Sequence, residues 1–174
     1  QGEWQVGLGA SHFWIGYVHY LRNELDAALE QFEPYLEISR RLLEAEPGDE
    51  TYRLEVAYGY SNIGSVKEAQ GDLEGALASL GRYLSVARDL SGLDPADRDR
   101  RFDVGVGHNK VAVVLQKLGR LEEAERHLRE ALAIKEELAR EEPSDVAGRR
   151  YLADAHGFLA DVLEMRGRDE EALD

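Results

Sequence analysis

The sequence has no cysteine, which excludes a disulfide framework, a thiolate metal site and a cysteine nucleophile. That lack fits a cytoplasmic protein. Positive charge is also scarce: 35 acidic side chains stand against 21 Lys and Arg, for a net charge of −14 over 174 residues. Nucleic acid and anionic membrane both need cationic footprints, so neither is an expected partner. Over 1–48, 49–96, 97–144 and 145–174 the charge is −5, −4, −1 and −4. The acidity is spread as a solubilising surface and is not gathered in a tail. No apolar run approaches the roughly 18 residues of a membrane span.

What is present is a repeat. Sliding the chain by 48 residues aligns Asn23, Gly71, Gly119 and Gly167, then Ala28, Ala76, Ala124 and Ala172, then Val18, Val66, Val114 and Val162. Pro47, Pro95 and Pro143 form a further column. A fixed period in this range is the mark of a solenoid, in which one supersecondary unit stacks on the next and buries a continuous seam. The reading expects a single array over 1–174, with copies at 1–48, 49–96, 97–144 and a truncated 145–174. Gln1 falls in the phase of Asp49, and Asp174 in that of Glu30. The chain is therefore expected to be a segment of a longer protein.

Each copy reads as two helices. Proline ends the helix before it, and Asp49, Asp97 and Asp145 stand ready to accept from the free N–H groups of the helix after it. Along that first helix the apolar columns Leu8/Val56/Val104/Leu152, Ile15/Ile63/Val111/Leu159 and the valines keep one helical face. Two columns of small residues, Ser11/Gly59/Gly107/Ala155 and Gly16/Gly64/Ala112/Ala160, point to close helix packing, because glycine inside a helix costs about 1 kcal/mol relative to alanine. The helix should stop at the Asn23/Gly71/Gly119/Gly167 column, where a left-handed residue is wanted. The second helix opens near Leu25, Leu73 and Leu121. At ~1.5 Å rise per residue, each helix should be roughly 30 Å long. The fourth copy has Asp169 where the others have leucine, so its second helix is expected to be short or frayed.

These residues resemble the tetratricopeptide repeat, whose pattern is W-x₂-L-G-x₂-Y, then A-x₃-F, then P. The second copy gives Tyr60, Ile63, Gly64 and Lys67, then Ala76 and Leu80, then Pro95; the first gives His12, Ile15, Gly16 and His19, then Ala28 and Phe32, then Pro47. The third gives His108, Val111, Ala112, Leu115, Ala124, Leu128 and Pro143, and the fourth stops at His156, Leu159, Ala160, Leu163 and Ala172. The family unit is about 34 residues, and the surplus here divides as seven residues in each helix. Seven residues are close to two helical turns, so the apolar faces keep their direction. The resemblance implies an all-α, right-handed superhelical solenoid of antiparallel hairpins.

Chemistry is not signalled. The Gly105-Val106-Gly107 stretch lacks the third glycine of a dinucleotide fingerprint, and Gly59 to Ser65 has no lysine after Gly64. His12, His108 and His156 share a column with Tyr60 and read as packing residues, since copies 48 residues apart do not converge on one metal. His19 and His127 stand alone. Paired carboxylates such as Glu122-Glu123 belong to polar helix faces. The expectation is no enzyme, no metal and no cofactor.

The variable positions of the first helices carry the functional expectation. By resemblance, such arrays bind a peptide or protein segment in a concave groove lined by first helices. The candidate residues are Phe13, Trp14, Tyr17 and Tyr20 in the first copy, Asn62 and Ser65 in the second, Asn109 and Lys110 in the third, and Phe158 in the fourth. Aromatics offer anchoring area, and amide or ammonium groups can hold an extended backbone or a carboxylate. Resemblance to long arrays attached to signalling domains further implies a scaffold within a larger, bacterial-type regulatory protein. The alternative is a structural spacer or self-association module, with the aromatic end forming a homodimer contact.

Overall fold

The computed structural model describes residues 2–167. Among these the elements are seven α-helices: α1 (Gly2–Leu21), α2 (Leu25–Ala45), α3 (Glu50–Gln70), α4 (Leu73–Leu93), α5 (Arg98–Lys117), α6 (Leu121–Glu141) and α7 (Val146–Met165). The helix starts at Leu25, Leu73 and Leu121 and the starts one residue past Asp49, Asp97 and Asp145 are those the repeat predicts. Ala172 and Asp169, with the expected short last helix, lie outside the described residues.

The chain divides into two compact units, Gln1–Leu90 and Ser91–Asp174. In unit 1, α2 packs on both α1 and α3; in unit 2, α6 packs on both α5 and α7. Unit 1 also takes in most of α4. Its tightest approach to α3 is at Gly64, where a Cβ would lie 2.6 Å from Leu80 Cγ.

The turns inside the hairpins are built alike. Asn23, Gly71, Gly119 and Gly167 all have positive φ, at 60°, 84°, 74° and 72°. At the first three, two N–H groups reach back over the last turn. Asn23 donates to Tyr20 O at 2.9 Å and Glu24 to His19 O at 2.9 Å; Gly71 and Asp72 repeat this on Glu68 and Lys67, and Gly119 and Arg120 on Gln116 and Leu115. This closure satisfies carbonyls that a helix end leaves orphaned. Between copies the chain re-enters a helix under its aspartate. Asp49 accepts from Tyr52 N at 3.0 Å, and Asp97 from Asp99 N at 2.9 Å and Arg100 N at 3.1 Å. The Arg53 and Arg149 guanidiniums, 96 residues apart, each donate to the carbonyl of the preceding proline, Pro47 or Pro143.

In unit 1 the core gathers Ala28, Phe32, Tyr35, Ile63 and Val66, with Phe13, Tyr20, Leu25, Leu29 and Leu36 against it. In unit 2 the same columns supply Val111, Val114, Ala124, Leu128, Leu159 and Val162, all buried. Fully burying such side chains contributes about 1.5–3 kcal/mol each.

Candidate functional site

In unit 1, the four aromatics of α1 divide into two kinds. Phe13 and Tyr20 are half-buried and pack on the core cluster, and the Phe13 ring lies 5.5 Å from that of Tyr35. They serve the hairpin more than any ligand, because their positions lean towards α2. Trp14 and Tyr17 face outward, 62% and 39% exposed, with ring centroids 6.2 Å apart in an edge-on pair. On α3, Asn62 and Ser65 are half-buried. The Asn62 Nδ2 atom is enclosed and has no hydrogen-bond partner among the described residues.

In unit 2, Asn109 and Lys110 are half-buried on α5. Asn109 Oδ1 is likewise enclosed with no partner among the described residues. Phe158 on α7 is 37% exposed. A buried amide group without a bond is costly, so each needs a reason. Two neighbouring columns of first helices thus carry amides of this kind, one in each unit.

The histidine column does not behave uniformly. His108 is buried, with its ring 5.1 Å from that of His127. His12 Nδ1 lies 2.9 Å from Gln31 Oε1, and Tyr60 carries Arg82 over its ring at 5.8 Å. His156, expected to pack, is exposed; the helix that would cover it begins beyond Gly167. His127, taken as isolated, is the packing partner of His108. The spacing of 19 residues that joins His12 to Gln31 also joins His108 to His127, and it was the signal that would have found the pair. His19 is not isolated either, since its Nδ1 meets Glu24 Oε2 at 2.5 Å. The glycine patterns lie inside α3 and α5, where a phosphate-cradling loop cannot form. No group of three or more His, Asp or Glu able to hold a metal occurs among the described residues.

Two cavities missing from the sequence reading stand in equivalent places. In unit 1 a cavity of about 110 Å³ lies between α1, α2 and α3, with Val6, Tyr35, Ser39, Leu42 and Glu55 among its walls. In unit 2 one of about 190 Å³ lies between α5, α6 and α7, walled by Arg98, Asp99, Phe102, Lys135, Leu138 and the first turn of α7 with Asp145 and Tyr151. Adding 96 carries Val6 to Phe102, Ser39 to Lys135, Leu42 to Leu138 and Glu55 to Tyr151. The first cavity is internally satisfied: the Tyr35 hydroxyl donates to Glu55 Oε2 at 2.6 Å. Burial, reinforced by that bond, pushes the Tyr35 phenol well above its ordinary range. In the second, Lys135 is 4% exposed. Burial draws its ammonium below the usual lysine range, opposed by the field of Asp154.

Comparisons with known proteins agree with this geometry. Residues 109–141 match the family model of the tetratricopeptide repeat. Among solved structures the chain is similar to the apo form of RapI, with a TM-score of 0.73 at 16% identity, 96% of this chain and 52% of that one being covered. It is similar to the DHF79 filament, TM-score 0.53 at 18% identity over 97% and 95% of the two chains. It also matches MamA, TM-score 0.43 at 15% identity over 95% and 86%. The chain spans about half the length of RapI. No curated protein matches it in sequence.

The fold is an all-α solenoid of helical hairpins, a class that serves as protein-interaction scaffolds. Sequence over 109–141 and fold over nearly the whole chain identify it as a tetratricopeptide-repeat array. Among the described residues, no helix is long and apolar enough to cross a membrane.

Proposed function

We propose that the chain holds an extended segment of a partner protein against the first helices of its hairpins, as part of a larger regulatory protein of the cytoplasm. The observation that carries this reading is the pair of enclosed, unsatisfied amides at Asn62 and Asn109. A side-chain amide offers a donor and an acceptor to a passing peptide group. Beside them, Trp14, Tyr17 and Phe158 supply apolar area for anchoring side chains, and Ser65 and Lys110 further polar contacts. Binding, not turnover, is the proposed activity.

The test is a peptide-library selection on the full chain, followed by calorimetry of the selected peptide on Asn62→Ala, Asn109→Ala and Trp14→Ala. Each amide variant should weaken binding about tenfold, as expected for one lost buried hydrogen bond. Unchanged affinity in both amide variants would sink the reading.

A second reading, self-association, is favoured by a separate observation. Leu8, Ile15 and Val18 of α1 are 39%, 47% and 44% exposed, whereas Val56, Ile63 and Val66 in the same columns are 6%, 7% and 0% exposed. The α1 face is therefore a seam surface without its neighbour, and a second copy would cover it. The DHF79 filament, a structure of similar fold, is itself an assembly. Light scattering on Ile15→Asp distinguishes the readings: a dimer that becomes a monomer supports self-association, and a wild-type monomer rules it out.

A further inference from the structure

We propose that the unit 2 cavity between α5, α6 and α7 is a binding site for a small monocarboxylic acid with a compact apolar body, its carboxylate set between Lys135 and the first turn of α7. The first ground is Lys135 itself. It is 4% exposed, lines the cavity, and makes no hydrogen bond or salt bridge to any described residue. An ammonium is not left in that condition without cost, and a carboxylate at hydrogen-bond distance removes it. Ser39 and Ala87 fill the same repeat column, so the packing there asks only for a small side chain.

The second ground is the start of α7. Asp145 stands at its N-cap but makes no side-chain capping bond, unlike Asp49 and Asp97. The N–H groups of this first turn, where Ala147 and Gly148 wall the cavity, are thus left to accept an anion, and the helix dipole favours one there.

The third ground is the equivalent cavity. Unit 1 contains its own carboxylate, Glu55, held by Tyr35. In unit 2 those positions are Tyr151 and Ala131. The carboxylate has gone, the volume has grown from about 110 to about 190 Å³, and a cation has appeared. What unit 1 supplies from its own chain, unit 2 takes from outside. Phe102, Leu138 and Tyr151 provide an apolar wall, with the Phe102 and Tyr151 rings 4.9 Å apart. The remaining charges nearby are occupied or offset. Arg98 is bound to Glu142 and to Leu138 O; Asp99 and Asp145 line the rim. They restrict the site to one negative charge, because a second carboxylate would meet theirs.

The experiment titrates the full chain with 4-methylpentanoate and, separately, 4-methylpentanamide, followed by calorimetry and by the NMR signal of the Lys135 side chain. The acid should bind and shift that signal; the amide should bind at least tenfold more weakly. Lys135→Met, which keeps the length and apolar stem, should lose acid binding by about tenfold or more while keeping its helical circular dichroism. Equal binding of acid and amide overturns the proposal, as does undiminished acid binding by Lys135→Met or no acid binding at millimolar concentration. A leucine-terminated peptide with a free carboxylate is the remaining arm. If it binds through Lys135 more tightly than the free acid, the small-acid assignment is overturned in favour of a chain terminus.

Discussion

Where unit 1 places Leu29 between α2 and the α3 side of its core, unit 2, 96 residues on, places Glu125. Glu125 is 6% exposed and is held by Arg129 and by Arg166 at the end of α7. The outer tie of the same seam is kept in both units in altered form: Gln70 Nε2 donates to Asp26 at 2.7 Å, and Arg166 reaches Glu122 at 3.4 Å. The small-residue column diverges too, with Gly16 and Gly64 in unit 1 and Ala112 and Ala160 in unit 2. A Cβ at Gly16 would lie 2.9 Å from the Phe32 ring, so the larger aromatic is accommodated by removing a methyl opposite it. One hairpin plan is therefore closed by hydrocarbon and close approach in one place, and by charge in the other. An apolar seam tolerates trimming, whereas an ionic one depends on both partners being present.

That contrast can be broken most sharply at Glu125. Glu125→Ala should cost roughly 3 kcal/mol in chemical denaturation, because Arg166 is left partly buried with its main partner gone. Installing the unit 1 residues together, Glu125→Leu with Arg166→Gln, should be neutral or stabilising. A double variant as damaged as the single one would show that charge at this seam is indispensable.

Next in size is the glycine column. Gly64→Ala forces its methyl to within 2.6 Å of Leu80, and should cost about 1–2 kcal/mol, overpacking outweighing a helix-propensity gain of about 1 kcal/mol. A net gain, read from the denaturation midpoint, would mean that the α3–α4 approach is soft.

The cavities give two smaller effects of opposite sign. Tyr35→Phe removes the hydroxyl from Glu55 and should lose about 1 kcal/mol. Lys135→Met, measured without added acid, should gain about 1 kcal/mol near neutral pH by relieving a buried charge. The pH dependence follows from the lowered lysine value. The unfolded chain binds the proton more tightly, so the penalty is complete below the folded-state value and disappears as pH rises through it to the ordinary lysine range. The advantage of Lys135→Met should shrink over that interval. A constant advantage across it would assign the gain to packing alone.

Much of the fold was legible because the repeat multiplies each signal. Turn residues at Asn23, Gly71 and Gly119 and boundary aspartates before α3, α5 and α7 are local features, and chain-local chemistry decides them. Side-chain partnerships were less legible, because they join positions 19, 44 or 96 residues apart whose identity changes between copies. Phe13 and Tyr20 look like Trp14 and Tyr17 in a column of aromatics; only the direction of each around α1 separates core from surface. Lys135 gave a readable signal, a lysine in a column otherwise filled by Ser39 and Ala87, but its meaning required the cavity around it.

The two tryptophans of the chain, Trp4 and Trp14, both belong to α1 and are 61% and 62% exposed. Ultraviolet emission therefore reports on one edge of one unit, from indoles already in water. Unfolding of unit 2 is invisible to it. A blue shift, by contrast, has a single source: something has come to rest on α1.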